Sequence, residues 1–115
     1  MITVYGIKNC DSVKKALAFF KKHDIPYTFV DFRHDPVGCE TVDGWLAHGG
    51  DMAQLFNTRG TTYRTLNLKA LNLDDAGKRE WLCKENMLIK RPVINDGNNV
   101  IIGFNEKRYE GEFLS

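Results

Sequence analysis

The first 32 residues place the tightest limit on the fold. Ile2-Thr3-Val4-Tyr5 is short and rich in strand formers, and Gly6 and Asn9 punctuate its exit, so a strand followed by a tight loop is the natural reading. Val13, Ala16, Leu17 and Phe20 then recur at i, i+3, i+4 and i+7, one apolar helix face, while Lys14, Lys15, Lys21 and Lys22 line the other. The helix is predicted to stop before Pro26, because proline pushes the residue ahead of it out of the helical region. Tyr27 to Phe32 supplies a second strand. A β-α-β unit of this kind is expected to have parallel strands and a right-handed crossover, which points to an α/β fold.

From Pro36 to about Asn86 the pattern changes to short helical pieces. Val42, Trp45 and Leu46 mark one, Thr61 to Leu66 another, and Asp74 to Glu85 a clearer third, with Asp74 or Asp75 as its cap and Ala76, Arg79, Leu82 and Cys83 on one face. Gly49-Gly50 and Gly60 separate the pieces, but nothing reads as a linker, a repeat or a low-complexity tract. The stretch 36–86 is therefore expected to be an insertion packed on the same core, with residues 1–115 forming a single domain. Pro92-Val93-Ile94 and Val100-Ile101-Ile102 flank the polar cluster Asn95 to Asn99 as a hairpin. Phe104 to Phe113 reads as a terminal helix that Gly111 weakens. The summed order is β-α-β, helical insert, β-β-α.

Charge and cysteine content narrow the function classes. The 16 basic and 15 acidic residues leave a net charge of +1, which gives no support to binding of nucleic acid or of an anionic membrane. The N-terminus lacks the pattern of a secretory signal, no stretch is long and apolar enough to span a bilayer, and a cytoplasmic location is expected. Three cysteines, Cys10, Cys39 and Cys83, are an odd number at wide spacings, so neither a disulfide framework nor a zinc pattern is expected. Cys83, on an apolar helix side, reads as a packed, inert thiol, and Cys39 as a loop thiol with no partner. His23, His34 and His48 read as solvated, with no metal site, and Trp45, Trp81, Phe19, Phe20, Phe29 and Phe56 as core.

Cys10 is different. It follows a strand exit, in the polar run Lys8-Asn9-Cys10-Asp11-Ser12, at or just before the first turn of the first helix. Unpaired backbone N–H groups and the positive end of the helix dipole favour an anion there, and the thiolate is the form of cysteine that attacks disulfides and other electrophiles. Lys8 and Lys14 add favourable charge, and Asp11 opposes it.

Three further motifs make a resemblance specific. Residues 6–16 (Gly-Ile-Lys-Asn-Cys-Asp-Ser-Val-Lys-Lys-Ala), 56–64 (Phe-Asn-Thr-Arg-Gly-Thr-Thr-Tyr-Arg) and 89–94 (Ile-Lys-Arg-Pro-Val-Ile), with the run 100–109, resemble the arsenate reductase-like (ArsC/Spx) family, in its YffB subgroup. The resemblance implies a thioredoxin-like fold with a four-stranded mixed sheet. It implies Cys10 as the nucleophile, with Arg59 of the Asn-x-Arg-Gly motif and Arg91 ahead of Pro92 as oxyanion or carboxylate grips, a geometry that guanidinium supplies in two-pronged form. It also implies a cis bond between Arg91 and Pro92, facing the cysteine where a bound peptide such as glutathione would lie. Lys8 and Asn9 border the same loop and join the substrate or anion-binding set.

The chain departs from the reductases in carrying Lys8 near their histidine, and Phe104-Asn105-Glu106 near a third arginine, for which Arg108 is a further candidate. It departs from the regulators of the family in having Val13 where their Cys-x-x-Cys switch has its second cysteine. The expected function is a glutathione-dependent thiol or disulfide reductase with glutathione as co-substrate and no tightly bound cofactor. The alternatives are arsenate reduction at the same thiol and a non-catalytic module binding RNA polymerase. The expected partners are glutathione and a small thiol, disulfide or oxyanion, with no nucleic acid or membrane, and a monomeric state.

Overall fold

A computed structural model describes residues 1–114. The β-α-β unit comprises β1 (Ile2–Gly6), α1 (Asp11–Lys22) and β2 (Tyr27–Asp31), and β1 and β2 run parallel in the register Ile2 to Tyr27 through Gly6 to Asp31. Four α-helices follow: α2 (Cys39–Ala47), α3 (Met52–Leu55), α4 (Thr61–Thr65) and α5 (Asp75–Lys84), with short 3-10 turns at Leu68–Leu71 and Asn86–Leu88. The chain closes with β3 (Val93–Asn95), β4 (Val100–Ile102) and α6 (Glu106–Phe113). The strand order is β2-β1-β3-β4, with β3 antiparallel to both β1 and β4. This is the mixed four-stranded sheet of a thioredoxin-like α/β fold.

Alternation along the strands separates two apolar clusters, because successive side chains point to opposite faces of a sheet. Val4, Ile94 and Ile101 face α1 and α6, and pack with Ala16, Phe19, Phe20 and Tyr109. Val93 and Val100 face the helices of the insert, where Val42, Trp45, Leu55, Leu82 and Leu88 are buried, and Tyr5 packs on that side. Burial pushes the Tyr109 hydroxyl strongly up from its ordinary value, and it donates to Gly103 O at 2.6 Å, so the phenol stays protonated and satisfied inside the core.

Helix α1 ends as its sequence requires. Asp24 takes a left-handed φ of 54° and Ile25 N–H returns to Phe20 O, two residues of turn ahead of Pro26. At its other end α1 lies so close to β1 that a Cβ on Gly6 would come within 2.6 Å of Val13 Cγ2. Only glycine allows this approach, and it fixes the height of the helix start above the sheet.

The helices of the insert correct two expectations. Cys39 and Cys83 are not unpartnered thiols: they form a disulfide linking the first residue of α2 to the last turn of α5. The sequence concealed it because they lie 44 positions apart, and only the packing of α2 on α5 brings them together. That packing has other fastenings. Asp43 on α2 accepts from Arg79 Nε and Nη2 at 2.6 and 2.9 Å, so Arg79, which the spacing sets on one face with Ala76, Leu82 and Cys83, pairs across the helices. Asn86, buried, accepts from Val37 N–H at 2.7 Å and donates to Val37 O and Leu82 O.

Two outcomes follow from these contacts. Gly6→Ala should lose about 1–3 kcal/mol in urea denaturation, the usual cost of overpacking a tight contact; an unchanged midpoint would mean that α1 shifts freely on β1. Hydrogen bonding from Arg79 holds the Asp43 carboxyl below its ordinary value, so the contribution of the pair is intact at neutral pH and is lost as pH falls through that lowered value. The stability difference between wild type and Arg79→Gln should therefore shrink on acidification, and denaturation midpoints over a pH series will show whether it does.

Candidate functional site

The pairing of β1 with β3 assembles the site. Tyr5 is opposite Val93, and extending that antiparallel register by one residue sets Gly6 opposite Pro92. The loop that leaves β1 and the segment that enters β3 therefore lie at the same end of the sheet, together with Asp31 at the end of β2 and Ile102 at the end of β4. Phe32 N–H donates to Gly6 O at 2.9 Å and Gly103 N–H to Pro92 O at 2.8 Å, closing this edge.

Cys10 occupies the N-cap of α1. Its backbone is extended, its carbonyl accepts from Lys14 N–H at 2.9 Å, and its side chain makes no capping hydrogen bond. An N-cap side chain faces the amides of the first helical turn, which lack partners inside the helix. The thiol is half-buried and packs on the cluster containing Ile7 and Val93, while Lys8 and Asn9 ahead of it are exposed in a turn. Cys10 is the one free cysteine of the chain.

The peptide bond between Arg91 and Pro92 is cis, and Pro92 is buried. Arg91 is half-buried: its Nη1 donates to Met87 O at 3.4 Å, while Nε is enclosed without a partner. Arg59 stands in a separate loop with its own local logic. Asn57 Oδ1 accepts from Arg59 N–H at 3.1 Å, and a Cβ on Gly60 would come within 2.9 Å of Asn57 Nδ2, so the glycine lets that side chain keep its place. A bridge between Phe56 and Ile89, with Asn57 N–H to Leu88 O and Lys90 N–H to Leu55 O, straps this loop to the strand entering Arg91-Pro92.

Between these segments lies a cleft of about 240 Å³ lined by Phe56, Asn57, Thr58, Arg59, Lys90 and Ile102, with Ala53 and Gln54 at its side. No carboxylate lines it, and neither Arg59 nor Lys90 has an acidic partner among the described residues. Ile102 and Cys10 both pack on the apolar cluster beneath the insert, but Cys10, Lys8, Asn9, Arg91 and Pro92 do not line this cleft. Lys90 was missed by sequence reasoning although it lies inside the Ile-Lys-Arg-Pro motif; only the bridge to Phe56 shows that it shares a cleft with Arg59. Arg108 is exposed in the first turn of α6 and does not line this cleft. Among the described residues no group of three or more His, Cys, Asp or Glu gathers at metal-binding distance.

The geometry defines an α/β protein of thioredoxin-like fold with one free thiol at a helix start, at the same end of the sheet as a cis-proline segment, and with a cationic cleft whose lining does not include that thiol. The profile of the ArsC family matches residues 5–111, and the chain belongs to that family. An uncharacterized Haemophilus influenzae protein is 42% identical, with 98% of this chain and 99% of that protein covered. The global transcriptional regulator Spx of Listeria innocua is 30% identical over 92% of this chain and 82% of its own length. The solved structure of a protein called YffB superposes with a TM-score of 0.88 at 32% identity, covering 96% of this chain and 97% of that one.

The arrangement of sulfurs predicts a simple stoichiometry. Alkylation of the native protein without reductant should label one thiol per chain, at Cys10, and denaturation with reductant should raise that to three. Labelling of Cys39 or Cys83 in native protein that has first been oxidised would contradict the pairing.

Proposed function

We propose that this protein is a glutathione-dependent thiol/disulfide reductase of the ArsC family, working through Cys10. The observation that carries the reading is the placement of the one free thiol at the start of α1, at the sheet end shared with Arg91-Pro92, in a fold whose cationic cleft holds Arg59 and Lys90 without a carboxylate partner among the described residues. A half-buried sulfur on the N-cap residue of a helix is suited to attack. Two unpaired cations are suited to hold a carboxylate of a small peptide thiol.

In the first step the Cys10 thiolate attacks one sulfur of a substrate disulfide. The S–S bond breaks, a mixed disulfide forms on Cys10, and the departing thiolate takes a proton from solvent. Glutathione thiolate then attacks the substrate-derived sulfur, releasing Cys10 and leaving a substrate–glutathione disulfide. A second glutathione thiolate attacks the glutathione sulfur of that disulfide and releases the remaining substrate thiol, so two glutathione thiols supply the two electrons, oxidised glutathione is the product, and Cys10 returns to its starting state. Arg59 and Lys90 would position the carboxylates of glutathione, Arg91 would serve once it exchanges Met87 O for substrate, and Lys8, Asn9 and Pro92 would border the peptide. The reading places the protein in the cytoplasm as a monomer, without a nucleic-acid or membrane partner; the net charge of +1 supports it, and no helix among the described residues is long and apolar enough to cross a membrane.

Family membership favours a second reading, arsenate reduction at the same thiol, and the likeness to Spx a third, a non-catalytic polymerase-binding module. Exposure to oxidised glutathione followed by peptide mass spectrometry separates them from the first. Cys10 should carry one glutathione, a mixed-disulfide substrate should be turned over, and Cys10→Ser should abolish both. Arg59→Ala and Arg91→Ala should each lower kcat/KM about ten- to a hundredfold, the loss of one charge-assisted hydrogen bond. Arsenate turnover without disulfide turnover would favour the second reading. A stoichiometric polymerase complex that survives Cys10→Ser would favour the third.

A further inference from the structure

The disulfide between Cys39 and Cys83 lies outside the reaction proposed at Cys10. Neither sulfur belongs to a buried residue: both cysteines are half-buried, and Cys39 opens α2 right after Gly38. Gly38 is exposed, and a side chain added there would meet no atom within 4 Å. The backbone that leads into Cys39 is therefore open to solvent.

The bond is also not the only fastening between the segments it joins. Asn86 holds the chain ahead of Cys39 through both polar groups of Val37, at 2.7 and 3.0 Å, and holds α5 through Leu82 O at 2.9 Å. Arg79 grips Asp43 in two-pronged fashion, and Val42 and Trp45 of α2 are buried in one cluster with Leu82 of α5. These contacts register α2 on α5 through groups other than the two sulfurs. A crosslink that duplicates an existing register can open and close without unfolding, and intracellular disulfides in most organisms are of the transient, redox-responsive kind.

We propose that Cys39 and Cys83 form a second redox centre, a reversible dithiol/disulfide couple that exchanges with small peptide thiols of the glutathione type while the fold stays intact. A thiolate attacks Cys39 Sγ, the bond to Cys83 breaks, and Cys83 leaves as a thiolate that takes a proton from solvent. A second thiolate attacks the incoming sulfur of the mixed disulfide and releases Cys39, whose departing charge develops at the N-terminus of a nine-residue helix. The sum is two small thiols oxidised to one disulfide and one protein disulfide reduced to two thiols. The couple lies on the chain path into the first site, since Cys83 precedes the Asn86–Leu88 turn whose Met87 carbonyl holds Arg91. It stands independently of any reaction at Cys10.

The test uses the full chain carrying Cys10→Ser, so that every titrated thiol belongs to the couple. The protein is equilibrated from both the reduced and the oxidised side in glutathione buffers of graded ratio, quenched in acid, alkylated, and counted by intact mass. Near-UV circular dichroism of Trp45 and Trp81 reports the fold in the same buffers. The couple should interconvert between no thiol and two thiols, with the same midpoint from either side and a native tryptophan signal throughout. Thiols that appear only after that signal is lost would overturn the proposal and make the bond a structural staple. A reduced protein that stays reduced in oxidised glutathione would overturn it as well.

Discussion

The antiparallel pairing of β1 with β3 is the constraint on which the rest depends. β1 is also paired in parallel with β2, so its position is set from both sides, and its exit and the entry of β3 are forced to the same end of the sheet. Residues far apart in sequence, Cys10 and Arg91-Pro92, acquire a common neighbourhood from this register alone. The close approach of Val13 to Gly6 then fixes where α1 begins. The thiol is positioned by backbone geometry, and its side chain needs no partner to hold it there.

The insert completes the arrangement from the other face. Its helices cover the side of the sheet that carries Val93 and Val100, and one short bridge from Phe56 to Ile89 brings the Asn-x-Arg-Gly loop up to the cis-proline segment. The loop holds its shape through Asn57, whose side chain copies a backbone turn. This division of labour explains why the cationic residues of the cleft come from short, exposed connections while the cores behind them are apolar and sealed. Rigid elements provide the positions, and the loops provide the charge.

Much of this was legible in the chain. The spacing of Val13, Ala16, Leu17 and Phe20, the polar turn cluster between the two short apolar hairpin strands and the stop before Pro26 are local signals, and local chemistry decided them. Asp74 caps α5 through Gly77 N–H, as the helix start required. The 3-10 turn at Leu68–Leu71 was not read, although Asn67 and Asn72, both with left-handed φ, bracket it and asparagine tolerates that region. What stayed hidden depends on how helices of the insert pack on one another. The pairing of Cys39 with Cys83, the clamp formed by Asn86 and the meeting of Lys90 with Arg59 all join residues whose separation in sequence carries no period. Cys39 and Cys83 each looked inert alone, because a disulfide is a property of two positions.

The central claim is that a small peptide thiol sits between the start of α1 and the cleft of Arg59 and Lys90. Titration of isotope-labelled protein with S-methylglutathione, which cannot react, tests it by amide chemical shifts. The account predicts saturable shifts confined to Lys8 through Val13, Asn57 through Gly60 and Lys90 through Val93. Shifts centred elsewhere, or none at saturating ligand, would contradict it.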